Sequence, residues 1–161
     1  MIRASINMQR AGGSGNVRRS IAKRRQARGP RGVEVGFYDT ARYPDGTPVT
    51  NVAAWNEYGT TRVVRGTEVQ HSPPRPFFRN SNARVSDRVR RYIHNNVDPK
   101  TLTLTRSQGA SVGTILVNDL QNSIRELRVP ENRPSTIAIK GTSNPLVESG
   151  FMLRSVTYKL T

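Results

Sequence analysis

Three acidic residues in one part of the chain are the first candidates for chemistry. Asp39, Asp45 and Glu57 fall within one short stretch of the chain. Carboxylate oxygens are preferred ligands of Mg²⁺, so a convergence of these three would suit a metal-dependent nuclease. Asp45, however, belongs to the turn motif Pro44-Asp45-Gly46, and Glu57 stands beside aromatic residues in a predicted helix. Structural roles, as a turn former and as a surface or interface acid, are therefore favoured over catalysis.

The other residue types with catalytic potential are few and isolated. There is no cysteine, and the two histidines, His71 and His94, lie in different segments. His94 could serve as a general base, but no acid or nucleophile accompanies it, and a position near a helix end is favoured. Gly12, Gly13 and Gly15 lack the strand and the Lys-Ser/Thr pair of a phosphate loop. The sequence predicts no catalytic, cofactor-binding or metal-binding residue, and therefore no enzyme.

Positive charge is the strongest compositional signal. The formal net charge is +15, and residues 1–32 hold nine basic residues and no acidic one. Such a charge favours a polyanionic partner, either nucleic acid or an acidic protein surface. The glycines and arginines of 1–32 predict a flexible arm that orders on its partner, although a solubilising tail explains a charge run equally well. The candidate contacts to DNA or to an acidic partner are Arg18, Arg19, Lys23, Arg24, Arg25 and Arg28.

Aromatic residues stand among the arginines of RPFFR and RVRRYIH. This combination can bind nucleic acid through phosphate contacts and base stacking. Phe77, Phe78 and Tyr92 nevertheless have the spacing of a buried helix face. Core packing is the favoured interpretation of these aromatics, and phosphate contact by the neighbouring arginines stays open.

The ordered part of the chain is predicted to begin with a strand. In VEVGFYD the apolar residues Val33, Val35 and Phe37 alternate with polar or small ones, as in a half-buried strand. A short helix follows in TNVAAWNEYGT and is expected to end at Gly59. Beyond it, β-branched residues on both sides of Arg65-Gly66 predict a hairpin or a long exposed loop.

Two long helices, near 77–96 and 101–127, are predicted for the middle of the chain. The first carries apolar residues on one face and arginines on the others. The second is expected to be capped at Asp98-Pro99, and its Gly109 and Gly113 would let a neighbouring element come close. The two helices are expected to pack together.

The predicted fold class is α+β. A small antiparallel or mixed sheet, with strands near 33–38 and 154–160, would be covered by the two long helices. This single domain over 33–161 would follow the basic flexible arm of 1–32. The apolar content of 34% and the mean hydropathy of -0.62 are low for a large interior, which indicates that part of the chain stays extended or packs only against neighbouring molecules. There is no apolar run long enough to cross a bilayer.

Three segments resemble a known family in their motifs and their order. They are NVAAWNEYGT, HSPPRPFFRN and ENRPSTIAIKGTSNPLVESGFMLRSVTYKL, with a helical region between the second and the third. In these motifs, over residues 33–161, the chain resembles the tailed-phage neck, tail-completion, head-tail joining or virion morphogenesis proteins, the HK97 gp10-like group. Ser149 stands where the family more commonly has threonine, and the basic arm is longer than expected for the family.

The resemblance implies a structural virion protein, without a cofactor, at the head-tail joint. Copies would form a homo-oligomeric ring, a hexamer or a dodecamer, that joins the tail to the head connector and surrounds the DNA channel. The implied partners are adjacent head-connector and tail-terminator or tail-tube proteins and packaged DNA, with assembly in the host cytoplasm and no membrane. Glu57 is expected to bind the backbone or an arginine such as Arg75, as a structural staple. The alternative is a basic nucleic-acid-binding protein without a virion role.

Overall fold

A three-stranded antiparallel sheet lies at the centre of the fold. The computed structural model describes residues 3–7, 29–99, 103–141 and 143–161. The strands are β1 (Arg3–Asn7), β2 (Gly32–Gly36) and β5 (Thr157–Leu160), in the order β1-β2-β5. Val33 and Val35 of β2 are buried, and they pair with Leu160 and Tyr158 of β5. The predicted pairing of the first domain strand with the closing strand is confirmed.

The predicted flexible arm needs a correction at its start. Arg3–Asn7 is a strand that pairs with β2, with Ala4 opposite Val35 and Ile6 opposite Val33. Ala4 and Ile6 alternate with polar residues, which is typical of a strand. The edge of β2 that does not face β5 provides the backbone groups with which this strand pairs. The many arginines of 1–32 favour the prediction of a flexible arm over that of a short strand. Residues 1–2 and 8–28 of the arm lie outside the described residues, whereas 29–32 are described and lead into β2, which begins at Gly32.

A short helix and a hairpin follow β2. Helix α1 (Val49–Tyr58) buries Val49 and Ala53 and ends at Gly59, as predicted. Strands β3 (Thr60–Val64) and β4 (Thr67–Ser72) then form a two-stranded antiparallel sheet separate from the central one. The hairpin expected around Arg65-Gly66 is therefore confirmed.

The two long helices form the layer above the sheet. Helix α3 (Arg106–Glu126) contacts β2 and β5, and α2 (Phe77–Asn96) packs along α3. The apolar residues of α3 that face the core are Val112, Leu116, Leu120 and Ile124. Their spacing of four places them on one helix face, and burial of each leucine or isoleucine stabilises the fold by about 1.5–3 kcal/mol. The prediction of an α+β fold with two packed helices is confirmed.

Helix α3 begins later than predicted. Thr105 accepts a hydrogen bond from the Gln108 backbone N–H at 3.2 Å, and the Gln108 side chain accepts one from Thr105 N–H at 2.8 Å. This reciprocal capping box fixes the helix start. Asp98 instead pairs with Thr103 through an isolated bridge, so Asp98-Pro99 belongs to the connection between the helices.

Two glycines bring α3 close to the sheet. A Cβ atom on Gly113 would lie 2.3 Å from Cδ2 of Tyr158, and one on Gly109 would lie 2.6 Å from Cγ of Pro30. Real Cβ atoms do not approach so closely, so both positions require glycine in this packing. The predicted close neighbour of these glycines is β5 together with the residues that lead into β2.

Two short helices complete the fold before β5. These are helix α4 (Pro134–Lys140) and helix α5 (Phe151–Arg154), which buries Met152. The cavity between Val35, α2 and α3 measures about 10 Å³, which leaves no space for a ligand. Within the described ranges, the helices are too short or too polar to span a membrane.

Candidate functional site

The hairpin of β3 and β4 is the most exposed structured part of the described chain. Residues 61–71 are all exposed, and Val63 retains 71% of its accessible surface. Arg65 and Gly66 have positive φ angles of 49° and 79°, which suit a two-residue turn whose twist matches that of the strands. A hairpin with two solvated faces is marginally stable alone in water. Its position therefore depends on the contacts at its base.

A buried carboxylate, Glu57, connects α1 to the start of α2. Glu57 is 1% exposed, and its side chain accepts hydrogen bonds from the backbone N–H groups of Phe78 at 2.8 Å and Arg79 at 3.2 Å. Pro76, the residue before α2, offers no side-chain cap. Glu57 therefore caps α2 from another helix, and its negative charge lies at the positive end of the α2 dipole.

The side chain of Arg79 completes this contact. Its Nε donates to Glu57 at 2.9 Å, and its Nη2 donates to the Glu57 backbone carbonyl at 3.3 Å. The guanidinium also lies 5.8 Å from the ring centre of Tyr58. Charge-assisted hydrogen bonds to a buried carboxylate are stronger than neutral ones, so this pair holds the end of α1 firmly against α2.

A second arginine, Arg75, connects the hairpin to two other segments. Its guanidinium donates to Asn132 Oδ1 at 3.1 Å and to the Pro130 carbonyl at 3.3 Å. Weaker contacts reach Asn56 Oδ1 at 3.4 Å and Ser72 Oγ at 3.5 Å, and the Arg75 backbone N–H donates to the Asn56 carbonyl at 2.7 Å. Burial lowers the pKa of Arg75, because the charged form loses hydration.

The backbone at the hairpin base allows only glycine at position 59. Gly59 has φ 76°, and a Cβ atom there would lie 2.7 Å from the Ser72 carbonyl oxygen and 2.9 Å from Pro74 N. The backbone that follows α1 is thus in close contact with the backbone that follows β4. We call Glu57, Gly59, Arg75, Arg79 and Asn132 the hairpin clamp, because together they fix where the hairpin leaves the domain.

The predicted staple is correct in part. Glu57 does bind backbone groups and an arginine, but that arginine is Arg79 rather than Arg75. Arg75 points instead toward neutral acceptors on three segments. The reason is geometric: α2 begins between the two arginines, and its first turn brings Arg79 to Glu57. The sequence alone did not indicate the roles of Arg79 and Asn132. Arg75 and Arg79 nevertheless stand within five positions in RPFFRN.

The carboxylates considered for a metal site do not come together. Asp45 Oδ1 accepts a hydrogen bond from Thr47 N–H at 2.9 Å, which lowers the pKa of Asp45 and stabilises the turn. The side-chain oxygens of Glu57 accept hydrogen bonds from backbone N–H groups at the start of α2. Across the described ranges, there is no group of three acidic or histidine side chains that could hold a metal ion.

The other predicted sites have simple positions. Phe77 and Phe78 are buried in the core and Tyr92 packs against it, so the two phenylalanine rings are unavailable for base stacking. His94 lies in the last turn of α2, the predicted helix-end position. The candidate contacts of the arm lie outside the described residues; they are Arg18, Arg19, Lys23, Arg24, Arg25 and Arg28.

The arginines of α2 divide into two groups. Arg84 is held by Asp119 at 2.9 Å and Glu126 at 2.8 Å, and Arg90 by Asp87 at 2.8 Å. The Asp119 and Glu126 contacts raise the pKa of Arg84. Arg88 and Arg91 are exposed, and they form none of the ion pairs found among the described residues. They are the cations of this helix best placed for an external anion.

Comparisons with known proteins add no relative. None of the protein-family models, curated proteins or solved structures compared with the chain matches it.

Proposed function

We propose that this protein is a structural component of a tailed-phage particle, one copy in a neck ring that joins the tail to the head connector. It acts mechanically, without catalysis, and the ring surrounds the channel through which DNA passes. Its neighbours are further copies of itself and the proteins of the adjacent head-connector and tail rings.

The hairpin clamp carries this proposal. The three segments of the phage-family resemblance contribute Asn56 and Glu57, then Arg75 and Arg79, and finally Asn132. These residues meet at one place, where they fix the base of an exposed hairpin. The motifs are thus accounted for by a single structural task, which is to hold a projecting element in a defined direction. A protein that joins neighbours in an assembly needs such an element.

The surface composition gives further support. Five large apolar residues of α1 and the hairpin are exposed: Trp55, Tyr58, Val63, Val64 and Val69. Large apolar side chains exposed on a projecting element are available for contact with a neighbouring molecule. The arginines Arg88 and Arg91, together with the net charge of +15, suit a channel that carries DNA or a contact with acidic neighbours.

Loss of the protein from a phage that encodes it tests the proposal. We expect such a mutant to accumulate DNA-filled heads and separate tails, because the joint between them is missing, and electron microscopy of the lysate would reveal both. Supplying the intact chain from a plasmid should restore joined particles. Normal numbers of complete, infectious particles without the protein would contradict the proposal.

A basic nucleic-acid-binding protein without a virion role is the second candidate. The observation in its favour is the arginine content of 1–32 together with Arg88 and Arg91. This candidate predicts tight binding of free DNA by a monomer or dimer, with a steep dependence on salt. Salt-dependent DNA binding by a protein that is absent from purified particles would favour it over the neck protein.

A further inference from the structure

Strand β5 offers an open edge to an additional strand. Gly32 and Thr161 exchange two backbone hydrogen bonds, of 2.9 Å and 3.0 Å. Bonded and non-bonded pairs alternate along antiparallel strands, so Tyr158 and Leu160 direct their N–H and C=O groups away from β2. In the part of the chain that the structure describes, β5 is the last strand on this side of the sheet.

An open groove runs along this edge. It has a volume of about 820 Å³ and lies between β5 and the first turns of α3, lined by Arg106, Ser107, Ala110 and Thr157–Leu160. We call it the β5 groove. Tyr158 and Leu160 lie against Gly113 and Gly109, so their side chains are on the sheet face that α3 covers. Arg106 therefore lies on that same side of the sheet.

Strand β4 presents a matching edge. Val64 and Thr67 flank the two-residue turn and form its hydrogen-bonded pair. By the same alternation, Glu68 and Gln70 direct their backbone N–H and C=O groups away from β3. Each edge thus has two residues, at positions i and i+2, whose backbone N–H and C=O groups face outward. This spacing allows two antiparallel strands to exchange hydrogen bonds.

The side chains of the two edges are complementary in charge. A residue opposite Tyr158 or Leu160 in an added strand has its side chain on the same face as theirs, the face covered by α3. Glu68, placed there, would meet Arg106 in the wall of the β5 groove. Glu68 is the formally charged residue of β4, and Arg106 is the cation in the wall of the groove on that face.

We propose that the outer edge of β4 adds to β5 of a second copy of this chain, with Glu68 against Arg106 of that copy. The occupant is a second copy because the hairpin clamp holds the hairpin in a sheet separate from β5 of its own chain. The contact joins two different surfaces, so it repeats head to tail and builds either a ring or an open filament. Closure into a ring rests on the proposed function.

Charge exchange tests the pairing of Glu68 with Arg106. We expect the full-length protein to self-associate, and we expect Glu68→Arg and Arg106→Glu each to weaken association about tenfold or more, because like charges then face each other. The double variant should regain association, as measured by sedimentation velocity over a range of concentrations. Asp87→Arg makes the same charge change on α2, outside both surfaces, and should associate like the wild type.

Proline substitution tests the backbone pairing independently of charge. Gln70→Pro removes an outward N–H of β4 that the hairpin itself does not use, whereas Val63→Pro makes the same change on the outer edge of β3. We expect only Gln70→Pro to reduce association. Circular dichroism would establish that both variants are folded.

Three results would overturn the proposal: a wild type that is monomeric at every concentration, single charge variants that associate normally, or a double variant that is not restored. The test also separates the proposal from the proposed function. Charge-dependent association of a protein absent from particles would contradict the neck assignment alone. Normal rings of Glu68→Arg in particles would contradict the β4–β5 contact alone.

Discussion

At Glu57, one side chain satisfies groups from two elements. Its oxygens accept two backbone N–H groups at the start of α2 and the Nε of Arg79. These N–H groups have no partner within their own helix, so the carboxylate replaces the missing N-cap. A buried charge is stabilising only when it is paired and hydrogen-bonded, and Glu57 meets both conditions.

Glu57→Gln is the substitution that isolates this charge. We expect a loss of about 2 kcal/mol in the free energy of unfolding, because the amide keeps one acceptor oxygen and loses the charge-assisted bonds. Urea unfolding followed by circular dichroism gives the value. The control, Glu126→Gln, removes an exposed partner of Arg84 and should cost about 0.5 kcal/mol or less. Equal losses from the two substitutions would contradict the capping role.

Arg75 depends on the shape of the guanidinium as much as on its charge. The four side-chain and carbonyl acceptors around it lie on three segments, and the single ammonium of a lysine cannot reach them all. We therefore expect Arg75→Lys to destabilise the fold by about 2 kcal/mol, measured by the same unfolding experiment. Arg128→Lys, at a more exposed position, serves as its control. An Arg75→Lys variant of wild-type stability would show that the clamp does not use the planar group.

Among the elements, the hairpin illustrates what could be predicted from the sequence. The dipeptide Arg65-Gly66 between β-branched residues predicted the turn, and Gly59 predicted the end of α1. Both are local signals, because a positive φ angle favours glycine whatever lies elsewhere in the chain. The arginine that binds Glu57 depends on how two separate segments meet in space, so the sequence predicts a backbone or arginine partner but not that the arginine is Arg79 instead of Arg75.

Competing local signals explain the other differences. Asp98-Pro99 is a sequence signal for a helix start, but the capping box that starts α3 is formed by Thr105 and Gln108. Asp98 pairs with Thr103 instead of capping the helix, so α3 begins at the later signal. Likewise, the many basic residues of 1–32 favour the prediction of a flexible arm, although the alternation in Arg3–Asn7 is that of a strand.

Two glycines of the hairpin allow a matched test of the clamp. Gly66 and Gly59 have similar φ angles, of 79° and 76°, but the space around Gly66 is open. Gly66→Ala should therefore cost only the backbone strain of about 1–2 kcal/mol. Gly59→Ala should cost about 1–3 kcal/mol more, because its Cβ would overlap the chain at Ser72 and Pro74 and because φ 76° with ψ 178° is a backbone conformation almost confined to glycine. Equal unfolding free energies for the two variants would contradict close packing at the hairpin base.

On the scale of the whole molecule, the arginines among the described residues differ in whether they form an ion pair with an acidic side chain. Arg84 and Arg90 are neutralised by acidic neighbours, whereas Arg88 and Arg91 are exposed beside them on the same helix. If α2 faces DNA, the exposed pair supplies the phosphate contacts. Each such contact contributes about 0.9 to the slope of log affinity against log salt concentration.

The double substitution Arg88→Ala/Arg91→Ala should therefore reduce this slope by about 2 for duplex DNA. Fluorescence anisotropy at several salt concentrations measures it on the full-length protein. Arg84→Ala/Arg90→Ala removes the same formal charge from arginines that already have acidic partners, and it should reduce the slope less. Identical slopes for the two double variants would exclude α2 as a DNA-facing surface.

We propose that copies of this chain form a ring at the head-tail joint. The most direct test of this proposal is a cryo-electron-microscopy map of purified virions at a resolution that traces side chains. We predict a ring of this chain between the head connector and the tail, with the hairpin of each copy against β5 of the next. Particles whose joint is built entirely from other proteins would contradict the account.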